Sequence, residues 1–339
     1  MSKVKVGING FGRIGRQVFK AIAENFADSL EVVAVNDLTD NATLAHLLKY
    51  DSIYGRFEAD IKATEHEITV NGQAVAALAE KDPAALPWGS LGAQVVLEST
   101  GRFTNVEDAA KHLAAGAKKV VISAPPKGDK PVKSLVMGVN HTTYDPKTDH
   151  IVSNASCTTN CVVPAAKVVH ESFRIQRAYM TTIHAYTNDQ ALLDQPHKDL
   201  RRARAGALSM IPTSTGAAKL VAVIFPELKG KIDGSAIRVP TPDVSMVDLA
   251  CCVEKSTSKE EVNAAFKAAA EGPLKGILQY VEEPIVSIDL VGNPHSCMVD
   301  SKLTTVVDGT LVKVFAWYDN EFGYANRLVD LVAYMAAQA

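Results

Sequence analysis

One cysteine among small polar residues is the first place in this sequence where chemistry is legible: Ser153-Asn154-Ala155-Ser156-Cys157-Thr158-Thr159-Asn160-Cys161. The apolar pair Ile151-Val152 leads into it, and Val162, Val163, Ala166 and Val169 follow at helical spacing. The pattern predicts a strand ending at Ser153–Ala155 and a helix opening near Ser156. Cys157 then falls in the first helical turn, where N–H groups lack intrahelical acceptors and about half a positive charge accumulates. That position predicts a thiol pKa below its usual ~8.5 and a thiolate nucleophile. Most lone cysteines are buried and inert. Here the hydroxyl and amide neighbours favour a wet, reactive thiol. Cys161, one turn along the same face, is its internal comparison.

A second group lies near the N-terminus. Val4, Val6 and Ile8 alternate with Lys5, Gly7 and Asn9 as a strand, followed by Gly10-Phe11-Gly12-Arg13-Ile14-Gly15 and a helical pattern through Phe26. A second strand, Glu31–Val35, ends at Asn36-Asp37. Together these form a βαβ unit with the dinucleotide fingerprint: glycines for a tight turn and close approach of a pyrophosphate, and a helix start to neutralise it. Asp37 stands where a carboxylate binds the ribose hydroxyls and repels a 2′-phosphate, so NAD is expected over NADP. Ser99 and Ser123 also fall at predicted strand ends, as caps or as part of the same crevice. Lys81 is either a solvated loop lysine or a contact on the adenine side.

Anion chemistry marks the second half. Residues 186–210 form a long polar stretch with Asp189, Asp194, His197, Asp199, Arg201, Arg202 and Arg204. A loop of that length in a compact enzyme is usually functional. Thr215-Gly216 opens a helix, and Arg238 ends a strand; together they make a phosphate site plausible. His184 also ends a strand, but the chain has nine histidines and periodicity cannot select one.

The elements that must position these residues divide the chain. The first half alternates strand and helix, with a hairpin turning at Asn71-Gly72. This is the α/β rhythm of a Rossmann-type doubly wound sheet. After Cys157 long strands dominate: Ala178–Ala185, Ser235–Val239, Val247–Val253, Ile285–Asp289, Ser296–Val299 and Leu311–Trp317. That pattern predicts an α+β domain with a large mixed or antiparallel sheet. The expected division is residues 1–155, with the C-terminal helix 320–339 returning to them, and 156–319. With 339 residues, two domains fit. A net charge of −3 offers no basic surface for nucleic acid or an anionic membrane. The chain opens without a leader pattern and has no apolar run of membrane-spanning length. Five cysteines, with no C-x-x-C pair, read as reduced cytoplasmic thiols and predict no metal site.

The motifs Gly7-Ile8-Asn9-Gly10-Phe11-Gly12-Arg13-Ile14-Gly15-Arg16, Ala155-Ser156-Cys157-Thr158-Thr159-Asn160, His184-Ala185-Tyr186-Thr187, Leu200-Arg201-Arg202-Ala203-Arg204, Arg238-Val239-Pro240-Thr241-Pro242 and Trp317-Tyr318-Asp319-Asn320-Glu321 resemble phosphorylating glyceraldehyde-3-phosphate dehydrogenases over essentially the whole chain. The resemblance implies a glycolytic, NAD-dependent homotetramer acting on glyceraldehyde 3-phosphate and inorganic phosphate. It implies Cys157 as nucleophile and His184 as its base. Gly10, Gly12, Arg13, Ile14, Asp37, Lys81, Ser123 and Asn320 match cofactor positions. Thr187, Asp189, Arg202 and Arg238 match the substrate-phosphate site, and Ser156, Thr158, Thr215 and Gly216 the inorganic-phosphate site. Lys81 stands where many members carry Arg, and Gln195 where bacterial NAD enzymes often carry Leu. Three alternatives share the fold: an erythrose-4-phosphate dehydrogenase, an NADP-preferring photosynthetic type, and an NAD-binding protein without activity. Asp37, Thr215-Gly216 and the Cys157/His184 pair argue against them in turn.

Overall fold

A computed structural model describes residues 3–338; Met1, Ser2 and Ala339, at the ends of the expected first domain, lie outside the described residues. The chain folds as two compact units. One comprises Met1–Leu135, His141–Ala155 and Ala325–Ala339; the other comprises Val136–Asn140 and Ser156–Tyr324.

The first unit is built on a nine-stranded sheet. Its order is Lys133–Ser134, Ile151–Ser153, Lys119–Ile122, Val95–Glu98, Val4–Asn9, Leu30–Asn36, Gln73–Leu78, Glu67–Val70, Ile61–Ala63. Pairing is parallel as far as Gln73–Leu78 and antiparallel beyond. The central strands read as unbroken apolar runs because both faces are covered; Val95–Glu98 is buried throughout. The hairpin turns at Asn71-Gly72 with φ of 51° and 83°, the primed geometry that Asn-Gly favours. Its second strand, Gln73–Leu78, joins the parallel sheet beside Leu30–Asn36.

The second unit carries an eight-stranded mixed sheet. Its central strands are Ile232–Val239, Ile175–Ala185, Ser245–Val253 and Leu311–Tyr318. Alternation is strict in Ser245–Val253, where every second residue from Ser245 is buried. The buried face packs on the helices Cys157–Phe173, Ala217–Ile224 and Lys259–Glu271.

One expected strand, Ile285–Asp289, is absent. Residues Ser287–Leu290 form a 3₁₀ turn instead. The Asp289 carboxylate accepts the Val286 N–H at 2.8 Å, so a side chain takes the donor that a ladder would use. Two short strands gave no alternation signal: Ile211–Ser214, an edge strand that contains Pro212, and Leu278–Val281. Residues 186–210 hold no regular element. Leu192, Leu193, Leu200, Leu208 and Met210 are strongly exposed there, so the stretch is less polar than its charges implied.

Candidate active site

Ser156 caps the Cys157 helix. Its φ and ψ are extended, and its hydroxyl accepts the Thr159 N–H at 3.0 Å. The residue before it, Ala155, is buried in a left-handed conformation at φ 58°. That turn carries the chain from the strand Ile151–Ser153 into the helix and sets Cys157 in its first turn. Cys157 is part-buried, whereas Cys161 is fully enclosed.

His184 stands at the end of Ile175–Ala185, with Nε2 3.5 Å from the Cys157 sulfur. Its parallel neighbour in register is Arg238. The pairing sets Arg238 Nη1 3.0 Å from His184 Nδ1 and 3.0 Å from the Ala185 carbonyl. His184 Nδ1 is itself 2.7 Å from that carbonyl. The Tyr318 ring meets the imidazole edge-on at 5.9 Å. The Tyr318 hydroxyl bonds Thr158 at 2.9 Å and Thr182 at 2.8 Å.

This environment reverses one expectation. The Cys157 thiol is pushed above its ordinary pKa by burial, which outweighs the Arg238 charge and the Thr158 hydrogen bonds favouring thiolate. Burial and the Arg238 guanidinium also hold His184 down at about 3. At neutral pH the imidazole is uncharged and provides no imidazolium to stabilise a thiolate. The helix start is a local effect, and desolvation of the sulfur exceeds it. Cys161 is raised further still, by deeper burial and by Cys297.

Arg238 is a part-buried guanidinium with only neutral hydrogen-bond partners among the described residues. Its Nη1 donates to the Ala185 carbonyl and, at 3.4 Å, to the Thr187 hydroxyl, and lies 3.0 Å from His184 Nδ1. Among the described residues no carboxylate lies within ion-pair distance of it, and its Nε is buried without a partner. Burial lowers its pKa, as it does for a cation short of counter-charge. Arg202 differs: it pairs with Asp189 at 2.6 Å and bonds Thr213 at 3.0 Å. Thr187, Asp189, Arg202 and Arg238 thus share one charged neighbourhood, in which Arg202 and Asp189 both act on Arg238.

The expected inorganic-phosphate group is less uniform. The Ser156 hydroxyl is engaged in its cap, and that of Thr158 by Tyr318. Thr215 accepts the Ala217 N–H at 3.2 Å, and Gly216 heads the helix Ala217–Ile224 without a side-chain cap. A Cβ on Gly216 would meet nothing within 4 Å, so that helix start is sterically open.

In the first unit a cavity of about 660 Å³ is lined by Gly10, Gly12, Asp37, Lys81, Ser99 and Thr100, among others. Gly10 has φ +92°, and a Cβ there would lie 2.6 Å from the Thr100 nitrogen. At Gly15 a Cβ would lie 2.2 Å from the Gly10 carbonyl oxygen, whereas Gly12 leaves open space. These are the three glycine roles of a dinucleotide turn. Asp37 accepts the Phe11 N–H on one oxygen and the Thr39 N–H on the other, each at 3.0 Å. Both oxygens keep lone pairs for ribose hydroxyls. The cavity therefore fits NAD, and its fixed carboxylate opposes a 2′-phosphate.

Arg13 and Ile14 open the following helix. The Arg13 guanidinium is tied to Asp51 at 3.0 and 3.3 Å, so its charge is engaged within the protein. Ser123 ends the neighbouring strand and does not line this cavity. Asn320 belongs to the second unit, where its Oδ1 accepts the Ser245 hydroxyl at 2.7 Å. Sequence reasoning passes over Ser245, Tyr318 and Thr182. Each acts through strand register, which leaves no local signal. No cluster of three metal-ligating side chains occurs among the described residues.

Comparison with known proteins finds one family along the chain. The family model "Glyceraldehyde 3-phosphate dehydrogenase, NAD binding domain" matches residues 4–106, and "Glyceraldehyde 3-phosphate dehydrogenase, C-terminal domain" matches 156–320. The chain is 62% identical over 335 residues to the glyceraldehyde-3-phosphate dehydrogenase of Geobacillus stearothermophilus, covering 99% of each. It is 60% identical over 334 residues to glyceraldehyde-3-phosphate dehydrogenase 1 of Bacillus cereus, covering 98% of this chain and 99% of that one. With the Streptomyces coelicolor enzyme of the same name the identity is 58% over 336 residues, covering 99% of each.

Proposed function

From the premise that this chain belongs to the glyceraldehyde-3-phosphate dehydrogenase family, a phosphorylating and NAD-dependent one, we propose how its residues divide the reaction. The carrying observation is the contact of Cys157 Sγ with His184 Nε2 at 3.5 Å, beside an Arg238 that lacks a carboxylate partner. Cys157 adds through sulfur to the aldehyde carbon of glyceraldehyde 3-phosphate, and the thiol proton passes through His184 Nε2 to the aldehyde oxygen, which becomes the hemithioacetal hydroxyl and leaves the imidazole neutral. His184 Nε2 later takes the proton of the hemithioacetal hydroxyl, a step of general-base catalysis worth roughly 10²- to 10⁴-fold. Bound NAD supplies the hydride acceptor. The resulting thioester keeps the acyl group activated for attack by inorganic phosphate, since thiolate is a good leaving group. The product is 1,3-bisphosphoglycerate.

Arg238, Thr187 and the Arg202–Asp189 pair hold the substrate phosphate. A dianion on Arg238 offsets the charge that depresses His184, so substrate binding strengthens the base. Ser156, Thr158, Thr215 and Gly216 receive inorganic phosphate, the first two chiefly through the N–H groups of the Cys157 helix start. Gly10, Gly12, Arg13, Ile14, Asp37, Lys81, Ser123 and Asn320 hold NAD, in a domain formed by residues 1–155 and the C-terminal helix. Residues 156–319 form the catalytic domain. A homotetramer is supported by the exposed apolar side chains of residues 186–210 and by Tyr179 on the open face of the second sheet. Cytoplasmic placement is supported by five free cysteines, and no helix among the described residues is long and apolar enough to cross a membrane.

The test is NADH formation from glyceraldehyde 3-phosphate with and without phosphate, run on wild type and Arg238→Leu. Removing the charge-assisted contact should lower kcat/KM by at least about 2 kcal/mol, mostly through KM. Unchanged kinetics would return Arg238 to a purely structural role.

A further inference from the structure

Two groups assigned separate tasks meet on one buried hydroxyl. Ser245 Oγ accepts the Ala185 N–H at 3.0 Å. A hydroxyl has a single proton to give, and here it goes to Asn320 Oδ1 at 2.7 Å. The first bond fixes the peptide between His184 and Ala185, the backbone from which the imidazole projects. The second sets the orientation of the Asn320 amide. With its oxygen on Ser245, the Asn320 Nδ2 faces away and makes no hydrogen bond to the described residues, leaving two donors for a ligand carbonyl.

The backbone leading to Ser245 is strained. The antiparallel ladder between the His184 strand and Ser245–Val253 runs as far as Ile183 opposite Met246. Where it stops, the Ser245 side chain replaces a backbone carbonyl as acceptor. Val244, immediately before, is buried at φ +61°. A β-branched residue in the left-handed region is strained and persists only where its surroundings enforce it.

We propose that Ser245 is a positioning residue for the oxidation step. Its hydroxyl holds the His184 backbone and the Asn320 amide in one fixed relation, and left-handed Val244 is the strained joint that delivers it. The inference rests on the roles proposed above for His184 and Asn320. It adds a residue that touches neither substrate nor the reacting atoms.

Ser245→Ala leaves the Ala185 N–H and the Asn320 oxygen without partners. At saturating NAD and temperatures well below Tm, kcat should fall about tenfold or more. The Kd for NAD, read by fluorescence quenching, should rise about threefold or more. The pH profile of iodoacetamide labelling at Cys157, mapped by peptide in the enzyme without cofactor, should shift. Ser245→Thr keeps the hydroxyl and should recover most of the loss. Val244→Gly removes the left-handed strain together with a buried side chain; its kcat should fall, and its Tm does not enter the decision. Wild-type kcat, Kd and labelling profile in both Ser245→Ala and Val244→Gly would overturn the proposal, whatever happens to Tm. If Ser245→Ala does not fold, the same readouts on Val244→Gly decide. If the wild type itself failed to reduce NAD, the function proposed above would fail, and the labelling profile would still decide on Ser245.

Discussion

Two histidines in this chain are almost equally buried, and their surroundings give them opposite characters. His112, in the first unit, receives the Trp88 indole N–H on Nδ1 at 3.0 Å. Its ring proton therefore sits on Nε2 and goes to Glu98 Oε2 at 3.0 Å. Glu98 also accepts Asn9 Nδ2 at 2.6 Å, the Thr100 N–H at 2.8 Å and the Thr100 hydroxyl. Every polar atom of that histidine has a strong, fixed partner. His184, in the second unit, has a cation and a carbonyl crowding Nδ1, while Nε2 faces a sulfur at 3.5 Å. Sulfur is a weak hydrogen-bond partner, so Nε2 is not committed to it. Burial alone therefore does not make a histidine reactive. An imidazole becomes a base where one nitrogen is held and the other meets a group that can exchange its proton.

The contrast can be broken at several points. Cys157→Ser removes the partner of His184 and should abolish dehydrogenase activity while NAD still binds, measured by NADH formation and by titration. Cys157 should also be alkylated before Cys161, Cys251 and Cys297, whose thiols are buried. Cys252 is part-exposed as well, so peptide mapping must separate it, and only labelling at Cys157 should respond to His184→Asn.

His184→Asn should cut kcat by about 10² or more. It also tests the depressed pKa. The native state leaves His184 unprotonated down to about pH 3, whereas the unfolded chain protonates it near 6.5. Between those values the unfolded state binds more protons, so native stability falls as pH is lowered. His184→Asn lacks this term. Its unfolding free energy relative to wild type should improve by about 1–3 kcal/mol between pH 7 and pH 4.5 in urea titrations. A parallel pH dependence in the two proteins would show that His184 titrates in the native state as it does in the unfolded chain.

Asp37→Ala tests the first unit by its ligand. The kcat/KM preference for NAD over NADP should shrink by about tenfold, from loss of a close repulsion in a partly desolvated site. The smallest effect on kcat is expected at His112. His112→Leu strands the Trp88 N–H and leaves Glu98 Oε2 with Asn9 Nδ2 alone, and should destabilise the fold by about 3 kcal/mol. Its kcat at saturating NAD should stay within about threefold of wild type. A large loss of kcat there would show that the two histidines are not as different as their hydrogen bonds say.

Features set by neighbouring residues are legible in the sequence. The Ser156 cap, the helix start at Cys157, the Asn71-Gly72 hairpin and the Gly10–Gly15 turn with Asp37 depend on residues a few positions apart or on one βαβ unit. Periodicity does not select His184 among nine histidines; only the family resemblance does. Ile285–Asp289 misleads because apolar alternation says nothing of a side chain that captures its own turn.

Composition and spacing by themselves determined the fold class, the dinucleotide turn and the helical setting of Cys157, because each is set by short-range backbone geometry. Tertiary structure alone decided that His184 lies beside Arg238, that Ser245 reaches Asn320, and that Tyr318 joins Thr158 to Thr182. These pairings depend on register across several strands, over separations of 54 to 160 residues. It also decided the sign of the Cys157 shift. A helix start can be recognised from a few residues, but desolvation depends on everything packed around the sulfur, most of it far away in sequence.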